Sequence, residues 1–173
     1  MNYFEFYDLP VSFNPDQNVV KQKFYELSKK FHPDFYINES QEKQDEVLEL
    51  STLNNKAYQV LKEPQKRLHY ILDLKGQLIE GENYILPQDF LMEMMDLNEA
   101  IMELEFENDA TKLVEVKNQT LQMENSLKDE LAILFLEFDQ DQSKQEELLK
   151  SIKDNYYRNK YLLRIKESLA KSN

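Results

Sequence analysis

The chain has no cysteine, no tryptophan and only two glycines among its 173 residues. Without thiols there is no disulfide, no thiolate nucleophile and no cysteine-ligated zinc or iron-sulfur centre. Average usage would put roughly a dozen glycines in a chain this long. Their scarcity leaves few places where the backbone can turn left-handed at no steric cost. No run approaches the roughly 20 apolar residues of a membrane-spanning helix. The opening Met1-Asn2-Tyr3-Phe4-Glu5 has neither the basic start nor the apolar stretch of a leader. These absences predict a soluble, unprocessed, cytoplasmic protein with no membrane contact.

Positive charge is scarce too, and unevenly so. Against 33 acids there are 21 Lys or Arg, a net charge of -12. Residues 1–75 hold 10 bases against 12 acids, whereas residues 76–173 hold 11 against 21. That asymmetry predicts two units with different partners. It also speaks against nucleic acid, whose phosphate backbone is held largely by clustered Lys and Arg.

What is present favours helix. Leu, Glu, Lys and Gln are abundant, all good helix formers, and a hydrophobic fraction of 41% suffices for a core. Both glycines, Gly76 and Gly81, fall in the segment 76–87, which reads as the joint between a unit at 1–75 and another at 88–173. Leu78, Ile79, Tyr84, Ile85 and Leu86 make it too apolar for a free tether, so an ordered linker packed between the units is expected.

In the first unit Asp16 is a candidate N-cap. Val20, Phe24, Leu27 and Phe31 then recur at the spacing of one helix face. Pro33 disfavours helical geometry at His32 and ends that helix. A second stretch, from about Gln41 to Lys62, places Val47, Leu50, Leu53, Ala57, Tyr58 and Leu61 on one side. The two form an antiparallel hairpin, with a short aromatic segment, Tyr3 to Leu9, before it and a short helix opened by Pro64 after it.

In the second unit Phe90, Met94, Leu97, Ile101 and Leu104 mark a helix. Leu113, Val116, Thr120, Met123, Leu127, Leu131, Leu134 and Phe138 mark a second, and Leu149, Ile152, Tyr156 and Leu163 a third beginning near Ser143. Acidic turns at Asn108-Asp109 and Asp139-Gln140-Asp141 join them. The expected fold is all-α, ending in an antiparallel three-helix bundle.

The bend His32-Pro33-Asp34 exposes two polar side chains on a stiffened loop. Chance supplies such a triplet in roughly one chain of this length in a hundred, and its bland reading is a helix stop with a capping Asp. Catalysis is disfavoured, since no Ser or Cys nucleophile accompanies the pair. His69 is the only other histidine, so metal ligands are lacking as well.

With this helix order, the triplet in this loop resembles a J-domain, the module that stimulates ATP hydrolysis by DnaK-type chaperones. The resemblance implies that His32, Pro33 and Asp34, with Lys21, Lys23, Lys29 and Lys30 on the preceding helix, dock on an acidic chaperone surface. Many J-domains carry a lysine directly after the triplet. Phe35 and Tyr36 stand there instead, which reduces the docking charge.

The J-domain, the acidic bundle and the total length together resemble the HscB-type co-chaperones of bacterial iron-sulfur cluster assembly. Tyr3-Phe4, Leu9-Pro10, Asn54 to Leu61 and above all Phe90 to Glu99 carry the likeness, which extends over essentially the whole chain. It implies two partners, a specialised HscA-like DnaK-type ATPase and an IscU-like cluster scaffold protein. Leu91, Met92, Met95, Asp96, Glu99 and Glu103 would contact the scaffold, with Tyr157 as a weaker candidate.

Helix geometry points independently to the same face. The core stripe from Phe90 to Leu104 leaves Met92, Met95, Glu99, Met102 and Glu103 elsewhere on the cylinder. Exposed methionines rimmed by acids suit protein binding. The alternative is that they complete the bundle core or meet the linker.

The function expected is an adaptor that brings a scaffold protein to an ATPase and assists cluster transfer. The chain itself has no phosphate-binding loop and no cluster ligand, so it is expected to be no enzyme and to carry no metal or other cofactor. Two rivals remain: a J-domain co-chaperone for unfolded clients in general, and a helical adaptor unrelated to chaperones.

Overall fold

A computed structural model describes residues 1–171 of the chain. It is all-α and divides into two compact units, Met1–Gly76 and a second beginning at Gln77.

The first unit opens with α1 (Tyr3–Phe6). A capping box starts it: the Glu5 N–H donates to Asn2 Oδ1 at 2.9 Å and the Asn2 N–H donates to Glu5 Oε2 at 3.1 Å. Helix α2 (Gln17–Lys30) starts where the Asp16 carboxylate accepts the Asn18 N–H. Helix α3 (Gln41–Lys62) is capped by Ser40, and α4 (Pro64–Leu74) by Glu63 with Pro64 in its first turn. Val20, Val47, Ala57, Leu61, Leu68, Ile71 and Leu72 are buried.

Two polar side chains that hydrophobic periodicity does not reveal hold this unit together. Asn54 of α3 is buried and donates to the Phe24 carbonyl and the Ser28 hydroxyl of α2, both at 3.1 Å. Arg67 of α4 is buried as well. Its Nε donates to the Phe13 carbonyl at 2.9 Å and its Nη1 to the Leu61 carbonyl at 2.7 Å. Burial pushes the guanidinium pKa down, and nearby Glu63 opposes the shift.

The second unit is a bundle of α5 (Gln88–Phe106), α6 (Ala110–Gln140) and α7 (Gln145–Lys171). Asp109 caps α6 by accepting the Thr111 and Lys112 N–H groups. A short 3-10 turn at Gln142–Lys144 leads into α7, so Ser143 precedes the helix. Asn155 donates to the Leu127 carbonyl at 2.9 Å and Lys166 pairs with Glu124 at 2.7 Å, which places α7 antiparallel to α6. Phe90, Met94, Leu97, Ile101 and Leu104 of α5 share a core with Val116, Leu127, Leu162, Ile165 and Leu169.

The stripe expected on α7 drifts out of phase. Leu149 and Ile152 are buried, but Leu163 is 52% exposed and Leu162 lies inside instead. The line that stays buried at seven-residue spacing is Leu148, Asn155, Leu162 and Leu169, one position before the expected run. Leu149 lies at the edge of that face, about 100° round from Leu148, and Leu163 falls outside it.

The segment between the units joins the second of them. Leu86 is in the bundle core, and Tyr84 stacks on Tyr157 with ring centroids 4.5 Å apart. The Tyr84 hydroxyl donates to Asp154 Oδ1 at 2.7 Å, and Lys153 pairs with Glu82 at 2.9 Å.

Candidate functional site

Two surfaces hold the side chains that the sequence singles out. The first is the turn after α2. His32 caps a 3-10 turn over Pro33–Tyr36, with its Nδ1 accepting the Asp34 N–H at 3.2 Å. An Nδ1 that accepts cannot also donate to the Asp34 carboxylate 3.7 Å away, so the ring proton sits on Nε2. The loop therefore offers one imidazole N–H donor and one carboxylate acceptor, and both side chains are exposed.

Neighbouring bonds keep this turn in shape. The Tyr36 hydroxyl donates to the Lys30 carbonyl at 2.7 Å, tying the loop to the end of α2. From α3, Gln44 Nε2 donates to the Ile37 and Glu39 carbonyls at 3.2 and 2.9 Å. Phe35 is 73% exposed, with its ring centroid 5.7 Å from that of His32.

The four lysines of α2 do not behave alike. Lys21, Lys29 and Lys30 are exposed. Lys23 is partly buried and pairs with Asp8 at 3.4 Å, which leaves it the least available to a partner.

The second surface is the outer side of α5. Met92, Met95 and Met102 are 60%, 61% and 58% exposed, and Asp96, Glu99 and Glu103 are exposed beside them. Glu99 lies about 180° around the helix from the centre of the core stripe. Leu91 sits at the border, partly buried against the core. Glu103 is held by Lys112 of α6 at 2.8 Å, and that carboxylate raises the lysine pKa.

One large residue on this face is absent from the expected set. Phe106, the last residue of α5, is 86% exposed. Counting outward-facing apolar residues to the very end of the helix, past the core stripe, would have found it. Tyr157 belongs to other surroundings, half-buried under Tyr84 and packed on the bundle core.

Known proteins carry the same pair of units. The DnaJ domain family matches residues 3–70, and the family described as HSCB C-terminal oligomerisation domain matches residues 86–170. The chain belongs to the HscB co-chaperone family.

Among members of the HscB family, the co-chaperone protein HscB of Buchnera aphidicola subsp. Acyrthosiphon pisum (strain Tuc7) is 41% identical over 109 residues. That stretch covers 62% of this chain and 63% of the relative, so it spans less than two thirds of the relative's length. The HscB homolog of Vibrio vulnificus (strain YJ016) is 38% identical over 111 residues, 64% of this chain and 65% of its own. Among solved structures, human co-chaperone HscB aligns with TM-score 0.68 and 26% identity over 98% of this chain and 81% of that one. Chaperone HscB from Vibrio cholerae aligns with TM-score 0.62 and 28% identity over 99% and 96%. This HscB-family chain has no described helix long and apolar enough to cross a membrane.

Proposed function

We propose that this protein is a cytoplasmic adaptor that holds an IscU-like iron-sulfur scaffold protein on the outer side of α5 and delivers it to an HscA-like ATPase. The His32-Pro33-Asp34 loop engages that ATPase and stimulates hydrolysis there. The protein has no reaction of its own and needs no cofactor. Two contacts on one chain raise the effective concentration of scaffold at the chaperone.

The observation that supports this reading best is the His32 turn, which lies within the stretch that matches the DnaJ domain. A donor and acceptor pair on a loop whose backbone Tyr36 and Gln44 hold suits insertion into a partner's polar network. Little loop entropy is left to lose on docking.

The test is ATP turnover by the DnaK-type chaperones of the same cell, measured with the wild-type chain and with His32→Gln. The variant should lose stimulation by about tenfold or more while still binding scaffold. Equal stimulation by both chains would overturn the reading.

A further inference from the structure

Beyond the residues assigned to the scaffold contact, we propose that the partner is gripped along the whole of α5, with Met102 and Phe106 as a second anchor at its far end. This rests on the scaffold-binding reading of α5 and extends it to residues that the family resemblance does not supply.

The geometry is a strip. At about 100° per residue, Leu91, Met95, Met102 and Phe106 fall within about 60° of one another, in a line about 22 Å long. Met95, Met102 and Phe106 are all more than half exposed. Scattered single exposures are ordinary on a protein surface, but several exposed apolar side chains aligned on one face of one helix mark an interaction surface. Phe106 is the largest member, and aromatic side chains such as Phe are enriched where protein interfaces are buried.

Charge selects the occupant. Helix α5 carries Asp89, Glu93, Asp96, Glu99, Glu103 and Glu105 and no Lys, Arg or His. Asp96, Glu99 and Glu103 form a row along one side of the apolar strip, with Lys112 of α6 already paired to Glu103 at its far end. A second copy of this chain would set acid row against acid row, which is unfavourable. The fitting partner is a protein with an apolar ridge and a row of Lys or Arg beside it.

The experiment is calorimetric titration of the full chain with the purified apo scaffold protein of the same cell. Phe106→Ala should weaken binding about fivefold, and Met102→Ala with Phe106→Ala about tenfold or more, at unchanged thermal midpoint. Phe106→Leu should recover most of the affinity, and added salt should weaken the wild-type complex. If those variants bind like wild type while Met92→Ala with Met95→Ala binds weakly, the far anchor is wrong and the scaffold site stands. If all the variants bind like wild type, both are wrong. A chain that dimerises through this face, and becomes monomeric with Phe106→Ala, would also overturn the proposal.

Discussion

The Tyr7 hydroxyl donates to Asn54 Oδ1 at 2.8 Å in the interior of the first unit. Asn54 Nδ2 is spent on the Phe24 carbonyl and the Ser28 hydroxyl. One amide thus ties the segment after α1 to α2 and α3. Since α2 and α3 frame the His32 turn, the angle at which that turn is presented depends on a side chain far from it in sequence.

Asn54→Ala should therefore cost about 2–3 kcal/mol, because it removes the amide's bonds to α2, leaves the Tyr7 hydroxyl only the Asn54 backbone carbonyl at 3.2 Å, and opens a cavity. Tyr7→Phe, which removes one bond and leaves the ring in place, should cost about 1 kcal/mol. Amide exchange of α3 in the two variants reads the difference, and equal protection in both would refute the bridging role.

Glu82 and Lys153 predict a non-additive pair. Both side chains are mostly buried, and Glu82 Oε2 is already buried without a partner. Lys153→Met should destabilise the second unit by about 3 kcal/mol, since it leaves a carboxylate uncompensated. Glu82→Leu combined with Lys153→Met should recover most of that. Urea midpoints of the two variants, followed by exchange at α7 amides, decide; a double variant as unstable as the single one would contradict it.

Adjacent leucines on α7 should differ sharply. Leu162→Ala, inside the core, should cost about 2–5 kcal/mol, and Leu163→Ala, more than half exposed, less than about 1 kcal/mol. Thermal midpoints of the two variants check the phase of the helix directly.

Alkaline pH should weaken both units. Burial raises the Tyr7 pKa, with a smaller contribution from Tyr58. Burial also raises that of Tyr84, helped by its bond to Asp154. In the unfolded chain both titrate near 10. A folded pKa above the unfolded one stabilises fully below that pH and is lost as pH rises past it. Unfolding midpoints should fall above about pH 10, and Tyr84→Phe should flatten the fall in the second unit. A midpoint independent of pH there would contradict this.

The same residues show what the sequence can and cannot disclose. The face of α5 was legible because five core residues at regular spacing define its opposite side, and all five are buried. The start of α2 was legible because Asp16 is a strong capping residue before a periodic stretch. Asn54 and Arg67 were not, since their roles depend on carbonyls of other helices that come near only in the folded chain. Leu163 is exposed because the buried seven-residue line runs through Leu148, Asn155, Leu162 and Leu169, and a polar asparagine in that line hides it from apolar spacing. Phe106 lies two residues past Leu104, beyond the core spacing that marks its helix.

The two glycines offer a last consequence. Gly76 and Gly81 have φ of +71° and +75°, and a methyl group at either position would meet nothing within 4 Å. Space is not what reserves these sites for glycine; handedness is. An L-alanine would be strained there by about 1–2 kcal/mol, whereas a D-alanine, whose preferred φ is positive, would fit and would also restrict the unfolded chain. Mirror-image residues introduced by chemical ligation at 76 and 81 should therefore stiffen the segment that L-substitutions would disturb.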